Sequence, residues 1–197
     1  MLRNYIIKAV FIIYFSIPFI TFGLNSKRMI LPLNQSRPEL PFDSLLNDIY
    51  TQIKGDWDPP VKLYSTRNFE YMYQNSSRYY MDIKRVLSDS LYMENKKMIC
   101  VYMSQKLDFH KYLEFSNYCL ELFNAGLITE DILYNIIVPY EWKTHTRFVE
   151  RYKDKEVSHF LKLVLNSDKL SALCKKAVNE IAKGKTFRIW QKMLRES

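Results

Sequence analysis

Two acid–histidine pairs have the spacing that a metal site on a helix would need. Glu141 and His145 lie four positions apart, and Glu156 and His159 lie three positions apart. On a helix each pair would share one face and offer a carboxylate and an imidazole. The third histidine, His110, completes no paired-histidine zinc motif. Because contacts between neighbouring side chains on a helix surface explain the same spacings, we expect no metal site and no cofactor.

An acidic pair in a turn is the only other motif that suggests chemistry. Asp56-Trp57-Asp58 resembles the pair with which some sugar-transferring enzymes hold a divalent ion, but Pro59 and Pro60 follow it and favour a rigid turn. The sequence has no nucleophile elbow, glycine-rich phosphate loop or Ser-x-x-Lys motif. We therefore expect that the protein is not an enzyme. The alternative is a cell-envelope hydrolase acting on an anionic polymer through dispersed acids, for which the candidates are Glu94, Glu114, Glu121, Glu150 and Glu156.

Residues 64–80 are rich in tyrosine and arginine, the residue types that dominate protein interfaces. Their helical positions cannot all face one core. The favoured interpretation is a core-and-rim role with one or two exposed rings, and the alternative is a binding surface. The predicted partner-binding residues here are Arg67, Tyr71, Tyr73, Arg78, Tyr79 and Tyr80.

The C-terminal region from residue 169 to residue 195 is strongly basic, with Glu180 as its one acid. Such helices either bind an acidic partner or anionic lipid headgroups, or simply present a solvated face. The predicted partner-binding residues here are Lys185, Arg188, Trp190 and Lys192.

Glycine and proline placement predicts an all-α fold that positions these residues. After Gly23 the glycines are Gly55, Gly126 and Gly184, and each follows a segment of helical periodicity, as left-handed helix C-caps do. Nearly eighty residues separate Pro60 from the next proline, Pro139, without hairpin signals.

Apolar spacing predicts the helices themselves. We expect helices over residues 43–54, 129–137, 142–153, 155–166, 168–183 and 186–196. A broad apolar face precedes Gly126, and one further helix should carry Leu91, Met98, Ile99, Tyr102 and Met103 on one side. In the helix 168–183 the apolar stripe consists of Leu170, Leu173, Cys174, Ala177, Val178 and Ile181.

A weak internal similarity connects residues 86–91 with residues 164–170, about 78 positions apart. That separation would hold two helical hairpins of HEAT-repeat size. Stacked helical hairpins, as in an α-solenoid, and an irregular helical bundle are equally compatible with the pattern.

The N-terminus has the composition of a secretory signal peptide. Arg3 and Lys8 precede an apolar run over residues 9–22, and Thr21-Phe22-Gly23 could serve as a cleavage site. We expect a signal peptide over residues 1–23, an extended proline-containing leader over 24–42 and one helical domain over 43–197. The alternative is a membrane anchor formed by residues 5–24.

Charge and cysteine usage fit an exported binding protein. The formal net charge is +8, which favours an acidic partner or contact with anionic lipid headgroups. Outside the cytosol nucleic acid is not an expected target. The odd cysteine count favours unpaired thiols at Cys100, Cys119 and Cys174 over a bridge between Cys100 and Cys119.

These features predict an exported, periplasmic or extracellular helical protein that binds or inhibits another protein. A periplasmic immunity protein that occludes a toxin is the most concrete such role. The alternatives are the envelope hydrolase and a membrane-anchored envelope accessory protein.

Overall fold

The fold is all-α in the computed structural model, which describes residues 40–53, 63–138 and 147–185. These residues contain no β-strand. They belong to one compact unit, Glu39–Ser197. Its helices are α1 (Phe42–Ile53), α2 (Arg67–Gln74), α3 (Tyr80–Ser88), α4 (Glu94–Ser104), α5 (Phe109–Ala125), α6 (Glu130–Ile137), α7 (Arg147–Glu150), α8 (Lys155–Leu165) and α9 (Ala172–Ile181).

Several predictions lie outside the described residues. They are the signal peptide, the leader up to residue 39, the turn over residues 55–60 and the helix 186–196. Of the predicted helix 142–153, the described part contains α7 followed by a turn.

Several helices begin at a side-chain cap or end near a left-handed glycine. The Thr129 hydroxyl accepts a hydrogen bond from the backbone N–H of Ile132 at the start of α6, and the Asp108 carboxylate accepts one from Lys111 N–H at the start of α5. Gly126, with φ of 78°, ends α5 in the left-handed conformation, and Gly184 follows α9 with φ of 74°. The predicted capping roles of Thr129 and Gly126 are confirmed.

Two predicted helix starts were wrong, and in both cases a side chain closes a turn instead. Leu91 was expected within a helix, but Asp89 accepts a hydrogen bond from Leu91 N–H at 2.8 Å and α4 begins only at Glu94. The helix expected from residue 168 begins at Ala172, because the Ser171 hydroxyl accepts from Cys174 N–H and makes Ser171 the N-cap.

Helices that follow one another in the chain pack together as pairs. Helix α3 packs on α4, α5 on α6, and α8 on α9. The first helices of these pairs contact one another in the order α3, α5, α8, and the second helices α4 and α6 are also in contact. The similar segments 86–91 and 164–170 both lie where a first helix ends and turns toward its second helix.

The core is built from aromatic and aliphatic side chains along these contacts. Phe148 and Phe160 stack with ring centroids 5.3 Å apart, and Phe148 also lies 5.8 Å from the ring of Tyr112. This joins α5, α7 and α8. The thiols of Cys100, Cys119 and Cys174 are unpaired, as expected, and burial raises the pKa of each.

An ion pair fixes the start of α1 against α3. Arg85 Nη2 donates to both carboxylate oxygens of Asp43 at 3.0 Å, and the Tyr92 hydroxyl donates to Asp43 Oδ1 at 2.6 Å. Arg85 Nη1 in turn donates to the Tyr92 hydroxyl at 2.8 Å. We call these three residues the Asp43 network. Its hydrogen bonds, that from Tyr92 foremost, hold the pKa of Asp43 below the usual value of 3.8.

This network predicts one component of the acid sensitivity of the fold. A carboxyl with a depressed pKa stabilises the folded state above its unfolded pKa, and that stabilisation is lost as pH falls through the lower, folded value. We expect Asp43→Asn to reduce stability at pH 7 but to change it little near pH 2. Urea unfolding at both pH values measures this, with Glu121→Gln on α5 as the control. An equal loss at both pH values would contradict the ionic role.

Candidate functional site

Most tyrosines of the predicted binding surface belong to the hydrophobic core. Tyr73, Tyr79 and Tyr80 are buried, and of the predicted rings Tyr71 is the one with substantial exposure, at 42%. This agrees with the core-and-rim interpretation. The buried rings offer a partner little area of their own, and the role of Arg67 and Tyr71 in partner binding stays a prediction.

Each of these buried rings has a cation above it. Lys106 Nζ lies 5.9 Å from the centroid of Tyr73, and Arg78 Cζ lies 5.8 Å from that of Tyr79. Lys84 and Lys111, from α3 and α5, lie 5.4 Å and 5.3 Å from the centroid of Tyr80. At such distances the negative ring face attracts the cation. The tyrosines thus position basic side chains.

The same arrangement continues over α5 and α7. Lys84 Nζ lies 4.3 Å from the centroid of Tyr118. From α7 and the turn after it, Arg147 and Arg151 lie 4.8 Å and 4.1 Å from the centroids of Tyr112 and Phe109. We call these cations and their rings the cation–aromatic band. Its cations are Arg78, Lys84, Lys106, Lys111, Arg147 and Arg151.

Acids lie beside several residues of the band. Glu114 accepts a hydrogen bond from the Tyr80 hydroxyl at 2.8 Å and lies 3.9 Å from Lys84 Nζ. Asp154 lies 3.9 Å from Arg151, and Asp108 caps α5. Burial, and then the bond to Glu114, raise the pKa of Tyr80, so its hydroxyl stays protonated as a donor. The cations of the band offer positive charge that suits carboxylate groups.

The acids proposed for a hydrolase are spread over several helices. Glu94 lies on α4, Glu114 and Glu121 on α5, Glu150 on α7 and Glu156 on α8. Among the described residues, burial raises the pKa of a different carboxyl, Asp131, which lies near Glu94 and Glu130 at the start of α6. There Glu94 accepts from the Thr129 hydroxyl and Glu130 from the Ser171 hydroxyl at 2.5 Å. These bonds join neighbouring helix starts and give the cluster a structural role.

The remaining candidate sites of the sequence are the metal site and the basic C-terminal region. Among residues 40–53, 63–138 and 147–185, no three His, Cys, Asp or Glu side chains are grouped to hold a metal ion. Lys185 is exposed and lies 4.0 Å from Glu180 Oε2. Arg188, Trp190, Lys192 and the pair Glu141–His145 lie outside the described part of the chain.

Sequence reasoning missed most cations of the band. The Tyr80–Lys84 pair could have been found, since residues four apart share a helix face. The contacts of Lys106 with Tyr73 and of Arg147 with Tyr112 arise only from tertiary packing, which no local pattern encodes.

Comparison with known protein families, curated proteins and solved structures finds no match to this chain. No helix within the described ranges is long and apolar enough to cross a bilayer.

Proposed function

We propose that this chain is a helical protein-binding protein whose cation–aromatic band engages an acidic partner. The observation that carries the proposal is that cations from α3, α5 and the α7 region lie above aromatic rings of one contiguous set of helices. Ring contacts restrict the long basic side chains before binding, which lowers the entropy lost when a partner arrives. Complementary charge also accelerates encounter and favours an acidic partner over others.

We further propose that the helix pairs form a solenoid-like stack of hairpins, in preference to an irregular bundle. The contacts of α3 with α5, of α5 with α8 and of α4 with α6 support this arrangement. In such stacks one row of helices supplies an extended binding surface. Two cations of the band lie on first helices, Lys84 on α3 and Lys111 on α5.

The biological role we propose is that of an exported inhibitor, such as a periplasmic immunity protein that occludes a toxin. The signal-like N-terminus and the basic character of the chain support export and an acidic target. An inhibitor of this kind needs binding chemistry and no reaction centre, which fits the residues of the band.

Neutralising two band lysines is expected to weaken partner binding about tenfold, because each loses one charge contact with the partner. The wild-type protein would be immobilised to capture its partner from exported and cytosolic fractions. The affinity of the captured partner would then be measured for the wild type and for Lys84→Gln/Lys111→Gln. The loss should shrink at high salt.

A matched control removes the same charge elsewhere. Lys162→Gln/Lys176→Gln changes exposed lysines of α8 and α9 and should leave the affinity unchanged, with all variants keeping their helical circular dichroism. Equal losses in both double variants, or none in either, would overturn the proposed role of the band.

A further inference from the structure

The guanidinium of Arg147 holds a buried hydrogen-bond donor without an acceptor. Its Nη1 atom is buried, and no acceptor among the described residues lies within hydrogen-bond reach of it. Within the same part of the chain no acid forms an ion pair with Arg147, whereas Asp43 pairs with Arg85 and Asp154 with Arg151. A buried donor without an acceptor is costly, and native proteins keep few of them. Arg147 therefore differs from the arginines whose charge the fold itself satisfies.

The packing beneath Arg147 holds this guanidinium in place. Its Cζ atom lies 4.8 Å from the ring centroid of Tyr112. The Tyr112 hydroxyl donates to the Ile136 carbonyl at 2.7 Å, and the ring packs on Phe148, the residue after Arg147. Because both the ring and α7 are fixed, Arg147 has little freedom left to lose when it binds a ligand.

The ligand that such a donor suits is a carboxylate. A guanidinium is always charged and presents its N–H groups in a planar fork, which matches the two oxygens of a carboxylate. Charge-assisted hydrogen bonds of this kind are about twice as strong as neutral ones. Arg147 is half-buried, so part of the residue stays open to solvent. Glu150, the acid of α7, is exposed and forms no ion pair with it.

We propose that Arg147 is the residue of the cation–aromatic band that binds a side-chain carboxylate of the acidic partner, as a bidentate ion pair. This inference rests on the proposed function and names the contact that anchors the partner. Arginine is enriched among the interface residues that contribute most to affinity, which cluster where water is excluded. The lysines of the band lack the planar fork and act as point charges.

A glutamate side chain by itself tests the site in the wild-type protein. N-acetylglutamate α-amide carries one carboxylate, and N-acetylglutamine amide is its neutral counterpart. In NMR titrations we expect the first compound to cause saturable shifts of the backbone amide resonances of Phe148 and Val149 on α7, and the second to cause none. No saturable shift with either compound, or equal shifts with both, would overturn the Arg147 site. A response to inorganic phosphate alone would also overturn it.

Two variants that conserve charge test the contact with the captured partner. Arg147→Lys keeps the charge and loses the fork, and we expect it to weaken binding about tenfold. Arg151→Lys makes the same exchange at an arginine that already pairs with Asp154, so its loss should be smaller. The titration of the wild-type protein decides the case if Arg147→Lys does not fold.

The outcomes separate this inference from the proposed function. Equal losses in the two arginine variants, or no loss in Arg147→Lys, would overturn the Arg147 site. The band would then still stand if Lys84→Gln/Lys111→Gln weakens binding. If neither the lysine variant nor Arg147→Lys weakens binding, both proposals fail.

Discussion

Replacing Phe148 by alanine is expected to lower the free energy of unfolding by about 3–5 kcal/mol, the usual cost of emptying a large buried aromatic site. Phe148 is fully buried against Phe160, Tyr112 and Phe109, with centroids 5.3, 5.8 and 6.4 Å away. Helix α7 has only four residues and depends on this ring for its attachment.

Urea unfolding measures the effect of Phe148→Ala. Leu163→Ala, at a side chain that is 40% exposed on α8, provides the control and should cost less than about 1 kcal/mol. Because α7 carries Arg147, the Phe148 variant should also bind the acidic partner more weakly. A loss no larger than that of the control would contradict the placement of α7 against α5 and α8.

Tyr112→Phe is expected to cost about 1–3 kcal/mol, the penalty of an unsatisfied buried acceptor. The Tyr112 hydroxyl donates to the Ile136 carbonyl at 2.7 Å, and both residues are fully buried. This carbonyl lies in the last turn of α6, where carbonyls lack partners within the helix. The ring remains in the variant, so Arg147 keeps its contact.

Stability and binding should therefore separate in Tyr112→Phe. We expect a lower midpoint of unfolding with unchanged affinity for the acidic partner, measured below the transition. Tyr71→Phe, at an exposed ring, should leave the midpoint of unfolding unchanged. A parallel loss of affinity in Tyr112→Phe would mean that the hydroxyl, and not the ring under Arg147, matters for the band.

Local signals explain which helices could be predicted. The cap at Thr129 and the left-handed Gly126 act within one turn, so the sequence pattern identifies α6 and the end of α5 directly. The start of α4 could not be placed, because the apolar stripe continues to Leu91 while the Asp89 side chain closes a competing turn. The spacing of apolar residues does not show where a side chain closes a turn.

Of the candidate site, the sequence identified the tyrosine rings and one cation, Arg78. Tyrosine density identified Tyr73, Tyr79 and Tyr80, and Arg78 and Lys84 lie close to them in sequence. The other cations of the band come from positions distant in sequence from their rings. Lys111 reaches Tyr80 because α3 and α5 pack together, and Arg147 reaches Tyr112 because Phe148 fixes α7. Without that packing the lysines and arginines appear as ordinary surface charges.

Lysine footprinting of the complex tests the central claim most directly. With the captured partner bound, acetylation of Lys84, Lys106 and Lys111 should slow markedly, while that of Lys162 and Lys176 should not change. Protection confined to α8 and α9, with the band lysines reacting as fast as in the unbound protein, would contradict a band that binds the partner.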